Sequence, residues 1–420
     1  MYKEKEEVSF NKYFSLIENG TITDVPGFSA QAVHSGVRRS RKDDLSIIYT
    51  PLDTVSSAVF TTNKFAAAPV IINKKQLYKT RNIKAIVINT GIANACTGEQ
   101  GIINAEKIIE NTARYLKLKT ENVAIASTGL IGKQLPIEKI LSGIKELSKT
   151  IRSSDGHRAA RSILTIDKNS KEMAVRINTK KFFNMEKDII IGAIGKGSIM
   201  VAPNMGTILC FIATNVKIHQ GLIDDLLREG VDHSFNSISI DGCQSTNDMV
   251  FIQNNGESGI EITKDNRELY DVFRYTLFFV LEEMAKKVIL DGEGASKFVE
   301  IEVRSCRDKA EAKKIGMKIA NSILVKASIF GETINWGRIA SAIGSTDVEF
   351  DINDVEIFIN DFLIFKNGME VSENMEPALP TMKEKHIRIK VSMHTGKQSS
   401  YVWTTDLTHD FVKASSHYRS

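Results

Sequence analysis

The residues of this chain best placed for chemistry sit at a junction. In VAPNMGTILCFIAT, residues 201–214, Pro203 and Asn204 mark a turn, Ile208 to Ala213 form an apolar run, and Gly206 and Thr207 lie between them. A threonine opening a strand is ordinary, because β-branched residues fit a pleated surface, and spacing alone favours that reading. The chemical alternative is a nucleophile. A Thr hydroxyl is weak without a base, and cleavage of the chain just before it frees an α-amine, of pKa about 7.7–8.0, to serve as one. Gly206 on the departing side leaves the hydroxyl room to reach the preceding carbonyl for an N-to-O acyl shift.

Small residues gather in three further places: INTGIANACTGEQG (88–101), ASTGLIGKQLP (126–136) and LDGEGASK (290–297). With IGKGSIMVAPNMGT (194–207) they make four loops next to strands or helices, where ligand and backbone can approach. GAIGKGS is not a phosphate loop: Ile190 stands where G-x-x-x-x-G-K-[ST] needs Gly, and Gly197 rather than Ser or Thr follows Lys196. The dinucleotide turn G-x-G-x-x-G fails there too.

The elements that must position these loops read as α/β. Strands are expected at 45–50, 67–73, 83–89, 123–128, 188–194, 207–214, 298–303 and 355–360. Helices are expected at 103–118, 137–150, 219–236 and 268–290, where apolar residues recur every three to four positions. The polar stretch 177–188 fits a hairpin loop. No repeat and no linker rich in Pro, Gly or Ser divides the chain, so composition sets no domain boundary.

Charged residues at 25% and hydrophobic ones at 42% exclude disordered and fibrous classes. Lys plus Arg (55) nearly balances Asp plus Glu (51), which gives no global pull toward nucleic acid. The densest basic cluster, VRRSRKDD (37–44), is closed by two Asp and carries no aromatics, so it reads as solvated surface rather than a phosphate track. The four cysteines form no C-x-x-C and read as buried free thiols. The eight histidines are dispersed, and no metal site is expected. The N-terminus lacks signal-peptide character and no apolar run approaches membrane-spanning length, so a cytoplasmic protein is expected.

Taken together, IGKGSIMVAPNMGTILCFIATN, NTGIANACTG, ASTGLIG, SFNSISIDGCQSTND, DGEGASK, NWGR and TTDLTHDFVKASSHYRS run from about residue 25 to residue 420 and resemble the ornithine acetyltransferases, or glutamate N-acetyltransferases. The resemblance implies a layered α/β sandwich, two sheets between helices, self-cleaved into an α part, 1–206, and a β part, 207–420. It implies acetyl transfer from N-acetylornithine to glutamate in arginine biosynthesis, with no cofactor, and leaves open whether acetyl-CoA also serves as donor. Association of two α and two β pieces is implied as well. By motif position Thr207 is the nucleophile, Thr128 and Gly129 the oxyanion-hole pair, and Thr165, Lys196, Glu293, Ser415 and Ser420 substrate-binding residues.

The chain departs from the family pattern at several positions. Ser415 replaces an Asn, Ser420 a Thr, Ile199 a Gly, Gly206 an Ala and Asn215 an Asp. Asp241, Gly242, Thr246, Asn247 and Asp248 read as scaffold that caps helices or turns. Two alternatives remain at this stage: an N-terminal-nucleophile amidase or aminopeptidase of the same fold, and an uncut amino-acid-binding homologue.

Overall fold

The computed structural model describes residues 10–202 and 208–416. Period-two patterning sets its layers. In the strand Ala85–Ile92, Ile86 and Ile88 enter one hydrophobic core while Ala85 and Val87 enter another on the opposite face. Val123–Leu130 divides the same way, Ala124 and Ala126 against Val123 and Ile125. These two strands are parallel neighbours in a four-stranded sheet ordered Ser29–Val33, Leu45–Tyr49, Ala85–Ile92, Val123–Leu130. Helices Gly98–Leu116 and Ile137–Thr150 close its outer face with Ile108, Ile109, Ile140, Ile144 and Leu147.

The inner face packs on a six-stranded sheet ordered Phe14–Ile17, Lys171–Ile177, Ile189–Lys196, Leu209–Thr214, Met249–Asn254, Val55–Phe60. Leu209, Phe211 and Ala213 face the four-stranded sheet; Cys210 and Ile212 face helices Gln220–His233 and Arg267–Leu290. The order is helix, sheet, sheet, helix, as the resemblance implied. Burying a side chain such as Phe211 contributes about 2–3 kcal/mol. At the centre of the larger sheet, Ile189–Lys196 pairs antiparallel with Leu209–Thr214, so the segments on either side of 203–207 are direct neighbours.

A third sheet of six strands, built from residues 298–405, stands beside the sandwich. Val299, Ile301 and Val303 make its core with the helices Lys309–Ala320, Ile323–Phe330 and Trp336–Gly344. Residues 178–188 do join two antiparallel strands, with a short helix Thr179–Phe183 inside the connection. The strand expected at 67–73 is instead the start of the helix Ala68–Lys79. Pro69 explains it, since its fixed φ and missing N–H suit a first helical turn. Of the cysteines, Cys210 and Cys306 are buried, whereas Cys96 and Cys243 are exposed. Among the described residues no helix is long and apolar enough to cross a membrane.

Candidate functional site

Two of the four small-residue loops meet at the ends of the parallel strands Ala85–Ile92 and Val123–Leu130. There Thr128 lies opposite Thr90 and Gly129 opposite Gly91. Gly129 has φ +131°, and a Cβ on it would stand 2.2 Å from the Gly91 carbonyl carbon, so only glycine fits. The loops beyond are tied by Ala93 N–H to Leu130 O and Gly132 N–H to Ala95 O, both 2.9 Å. Thr128, 3% exposed, is thereby fixed on a rigid shelf.

The other two loops meet around Asp167. Its carboxylate accepts from the Thr165 amide (3.1 Å), the Thr165 hydroxyl (3.3 Å), the Gly197 amide (2.7 Å) and Lys171 Nζ (2.8 Å), and lies 3.6 Å from Lys196 Nζ. Lys171 Nζ also donates to Asp291 at 2.6 Å, and Asp291 in turn accepts from the amides of Lys168 and Asn169. The charges of Lys171 and Lys196 are thus balanced by Asp167 and Asp291 inside the protein. Burial alone would raise the Asp167 pKa, but Lys196 and Lys171 overcome it and hold the carboxyl well below its usual range. Burial pushes the Lys196 ammonium down, against the pull of Asp167. Lys196 is therefore an internal group, 1% exposed, rather than one displayed to solvent.

Glu293 joins this cluster through its backbone, whose N–H donates to Ser198 O at 2.9 Å. Burial, with Asp167 and Asp241 nearby, holds the Glu293 carboxyl above its ordinary value, with Lys168 opposing. The terminal helix His409–Ser416 seats against the same loop. A Cβ on Gly294 would stand 2.3 Å from the Phe411 amide nitrogen, and Thr408 Oγ1 donates to Gly294 O at 2.5 Å. Ser198 Oγ, Glu293 Oε2 and Ser415 Oγ are buried without a hydrogen-bond partner among the described residues. Buried polar atoms are rarely left so, and these lie on segments that meet.

One segment, residues 235–248, links the two loop pairs. Asn247 Nδ2 donates to Ala93 O (2.6 Å) and to Ser127 O (2.8 Å), next to Thr128. Asp248 Oδ1 accepts the Ile208 amide at 2.8 Å; burial drives this carboxyl well above its ordinary value. Asp241 Oδ2 accepts the Met200 amide at 2.6 Å. Among the described non-glycine residues of that loop it is Met200, at +54°, and not Ile199 that has a positive φ, so the isoleucine is accommodated without strain. Asn215 uses both ends of its amide, accepting from Ile190 N–H (2.9 Å) and donating to Asp188 O (3.1 Å), which an Asp could not do.

The structure thus brings Thr165, Lys196 and Glu293 together, with Ser415 on the helix that abuts Glu293's loop, and places Thr128 and Gly129 on the adjoining shelf. Gly206, Thr207 and Ser420 lie outside the described residues. Asp167, Lys171, Asp291 and Ser198 were not singled out from sequence. Ser198, Asp291 and, beside Thr165 in SILTIDK, Asp167 fall within motif stretches, whereas Lys171 does not. Among the described residues no group of three His, Cys, Asp or Glu is arranged to hold a metal ion. Lys326, behind the Asp241 loop, donates to Thr404 Oγ1 at 2.9 Å and to Thr405 O, and burial lowers it to about 7.

The sheets and the loops at their ends define an α/β enzyme. The sequence model of the ArgJ family matches residues 29–420. The arginine biosynthesis bifunctional protein ArgJ 1 of Clostridium acetobutylicum is 39% identical over 409 residues, 96% of this chain and 99% of that one. Its counterpart ArgJ of Thermotoga neapolitana is 39% identical over 399 residues, 94% and 99% of the two chains. A solved chain of the bifunctional ArgJ of Bacillus halodurans is 31% identical, with a TM-score of 0.48, covering 50% of this chain and 98% of its own. The chain belongs to the ArgJ family.

Proposed function

We propose that this protein moves an acetyl group from N-acetylornithine to glutamate through an acetyl ester on Thr207, after the chain is cut between Gly206 and Thr207. Thr207 Oγ attacks the acetyl carbonyl, the bond from acetyl to the ornithine nitrogen breaks, and ornithine leaves carrying the proton. Glutamate's amine then attacks the ester and frees the Thr207 hydroxyl. The α-amine released by the cut takes up and returns the protons. Thr128 and Gly129 stabilise the tetrahedral oxyanion, a donor of this kind being worth about 3–4 kcal/mol.

The observation that carries this reading is the set of unpartnered buried atoms, Ser198 Oγ, Glu293 Oε2 and Ser415 Oγ, in a chain of this family. A small substrate bearing an ammonium and a carboxylate meets what they lack: Glu293 takes the ammonium, and the hydroxyls donate to the carboxylate. The test is the intact mass of the denatured protein together with acetyl transfer from N-acetylornithine. Two pieces meeting at Gly206 and Thr207, and acetyl release that needs glutamate, are expected; Thr207→Ala should give one uncut, inactive chain. Release without glutamate would make the protein a hydrolase, and a cut or active Thr207→Ala would remove the nucleophile.

A further inference from the structure

The third sheet stands beside the sandwich, yet one of its flanking helices carries a lysine that meets the segments holding the site. Lys326, in the helix Ile323–Phe330, is 5% exposed. Its Nζ donates to Thr404 Oγ1 at 2.9 Å, to Thr405 Oγ1 at 3.1 Å and to Thr405 O, at the end of the strand Gln398–Thr405. Such a place costs the side chain its rotamer freedom and its hydration, so its contacts must do something in return.

Two carboxylates lie near enough for their charges to act on it, Asp406 and Asp241. Each holds one of the loops that meet around Asp167. Asp406, 3% exposed, accepts from Ser296 N–H (2.9 Å), Lys297 N–H (3.1 Å) and Ser296 Oγ, and so closes the turn that follows Glu293. Asp241 accepts from Met200 N–H (2.6 Å) and Cys243 N–H (2.9 Å), and so holds the loop that carries Ser198. An ionised carboxylate accepts amide hydrogens more strongly than a neutral carboxyl, and Lys326 opposes the burial that raises the Asp241 pKa. The helix reaches the same region twice more. Leu407 N–H donates to the Lys326 carbonyl at 3.4 Å, and the Phe330 ring meets His409 of the terminal helix edge-on, with centroids 5.4 Å apart.

We propose that Lys326 is a positioning residue for substrate binding: through Thr405, Asp406 and Asp241 it fixes where Glu293 and Ser198 stand, without touching the substrate. The proposal rests on the acetyl-transfer reading above and gives the third sheet a part in it.

The experiment compares wild type with Lys326→Met, which keeps the reach of the side chain and removes its donors, and with Lys326→Gln, which keeps donors without the charge. The double variant Thr404→Val, Thr405→Val removes two acceptors and leaves the lysine in place, so a Lys326→Met chain that fails to fold does not end the test. The KM for N-acetylornithine should rise by about tenfold in Lys326→Met with kcat within about twofold of wild type, and by less in the other two variants. Hydrogen exchange at the amides of Met200, Cys243, Ser296 and Lys297 should quicken by about tenfold more than at Ile125, whose amide is held by Asn73 in the four-stranded sheet. A lysine that only stabilises the fold would quicken exchange at all five alike and leave KM where it was. Either result, an unchanged KM or no selective gain at the four loop amides, would overturn the proposal. The exchange measurement needs no turnover: selective loosening of the four amides in a protein that transfers nothing from N-acetylornithine would remove the acetyl-transfer reading alone.

Discussion

Asp248 holds Ile208. One carboxylate oxygen accepts the Ile208 amide at 2.8 Å, while the other is buried without a partner among the described residues. The preceding side chain, Asn247, grips Ser127 O next to Thr128. Two consecutive residues thus fix both the shelf and the backbone that follows position 207.

If that grip presents the junction, Asp248→Ala should leave a large uncut fraction and lower kcat by about 10- to 100-fold with little change in KM, whereas Asp248→Asn, which keeps an acceptor, should restore both. Intact mass and steady-state kinetics read the outcome. An Asp248→Ala preparation that is fully cut and as active as wild type would end the idea.

Asp167→Asn removes one of two counter-ions from a buried pair of lysines. A loss of about 3–5 kcal/mol is expected, read as a lower urea midpoint at unchanged slope. A loss below about 1 kcal/mol would mean that Lys171 and Lys196 are not held by Asp167.

At Gly129 both φ and the Gly91 backbone stand against any side chain. Gly129→Ala should lower the melting temperature markedly, by the ~1–3 kcal/mol of backbone strain plus the clash, and reduce turnover in whatever folds. Wild-type stability in this variant would show that the two strand ends part easily.

Glu293 in its proposed role binds an ammonium only when ionised, and burial raises its pKa. Activity should therefore fall with acidification starting at a higher pH than an exposed glutamate would give, and the kcat/KM profile of Glu293→Gln should lose that limb. A limb that survives the substitution belongs to another group.

Lys326 titrates near 7 in the folded protein and near 10.5 unfolded. Between those values the unfolded state binds the extra proton, so stability rises with pH across the window, by up to about 1.4 kcal/mol per unit. The melting temperature of wild type minus that of Lys326→Met should accordingly increase from pH 7 to pH 9. A constant difference would show that Lys326 keeps its proton.

How much of this was legible in the sequence depends on where each pattern sits. The first halves of Ala85–Ile92 and Val123–Leu130 are buried on both faces and read as the apolar runs AIVI and VAIA. In His386–Ser392 and Gln398–Thr405, polar residues alternate with apolar ones or fill the first half of the strand, and these were missed. AAPVIIN was misread because a short apolar run fits either period, and Pro69 decided it. In the site, Lys196, Glu293 and Thr165 were visible through family motifs. The roles of Asp167, Lys171 and Asp291 were not, even where a motif contains the residue, since Lys171 meets Asp291 from 120 positions away. VRRSRKDD lies as the solvated surface expected of it, with Arg39, Arg41 and Lys42 exposed, but adjacency in sequence said nothing of Asp44 turning inward.

The pairing of Ile189–Lys196 with Leu209–Thr214 at the middle of a sheet changes what a cut at Gly206 would do. Six residue pairs, from Ile191 with Thr214 to Lys196 with Leu209, would hold the two pieces together. Once the pieces are unfolded, recovery ceases to be a first-order event within one chain and becomes an encounter between two. Its yield then depends on dilution, and a protein that folded once as a single polypeptide has no unimolecular route back.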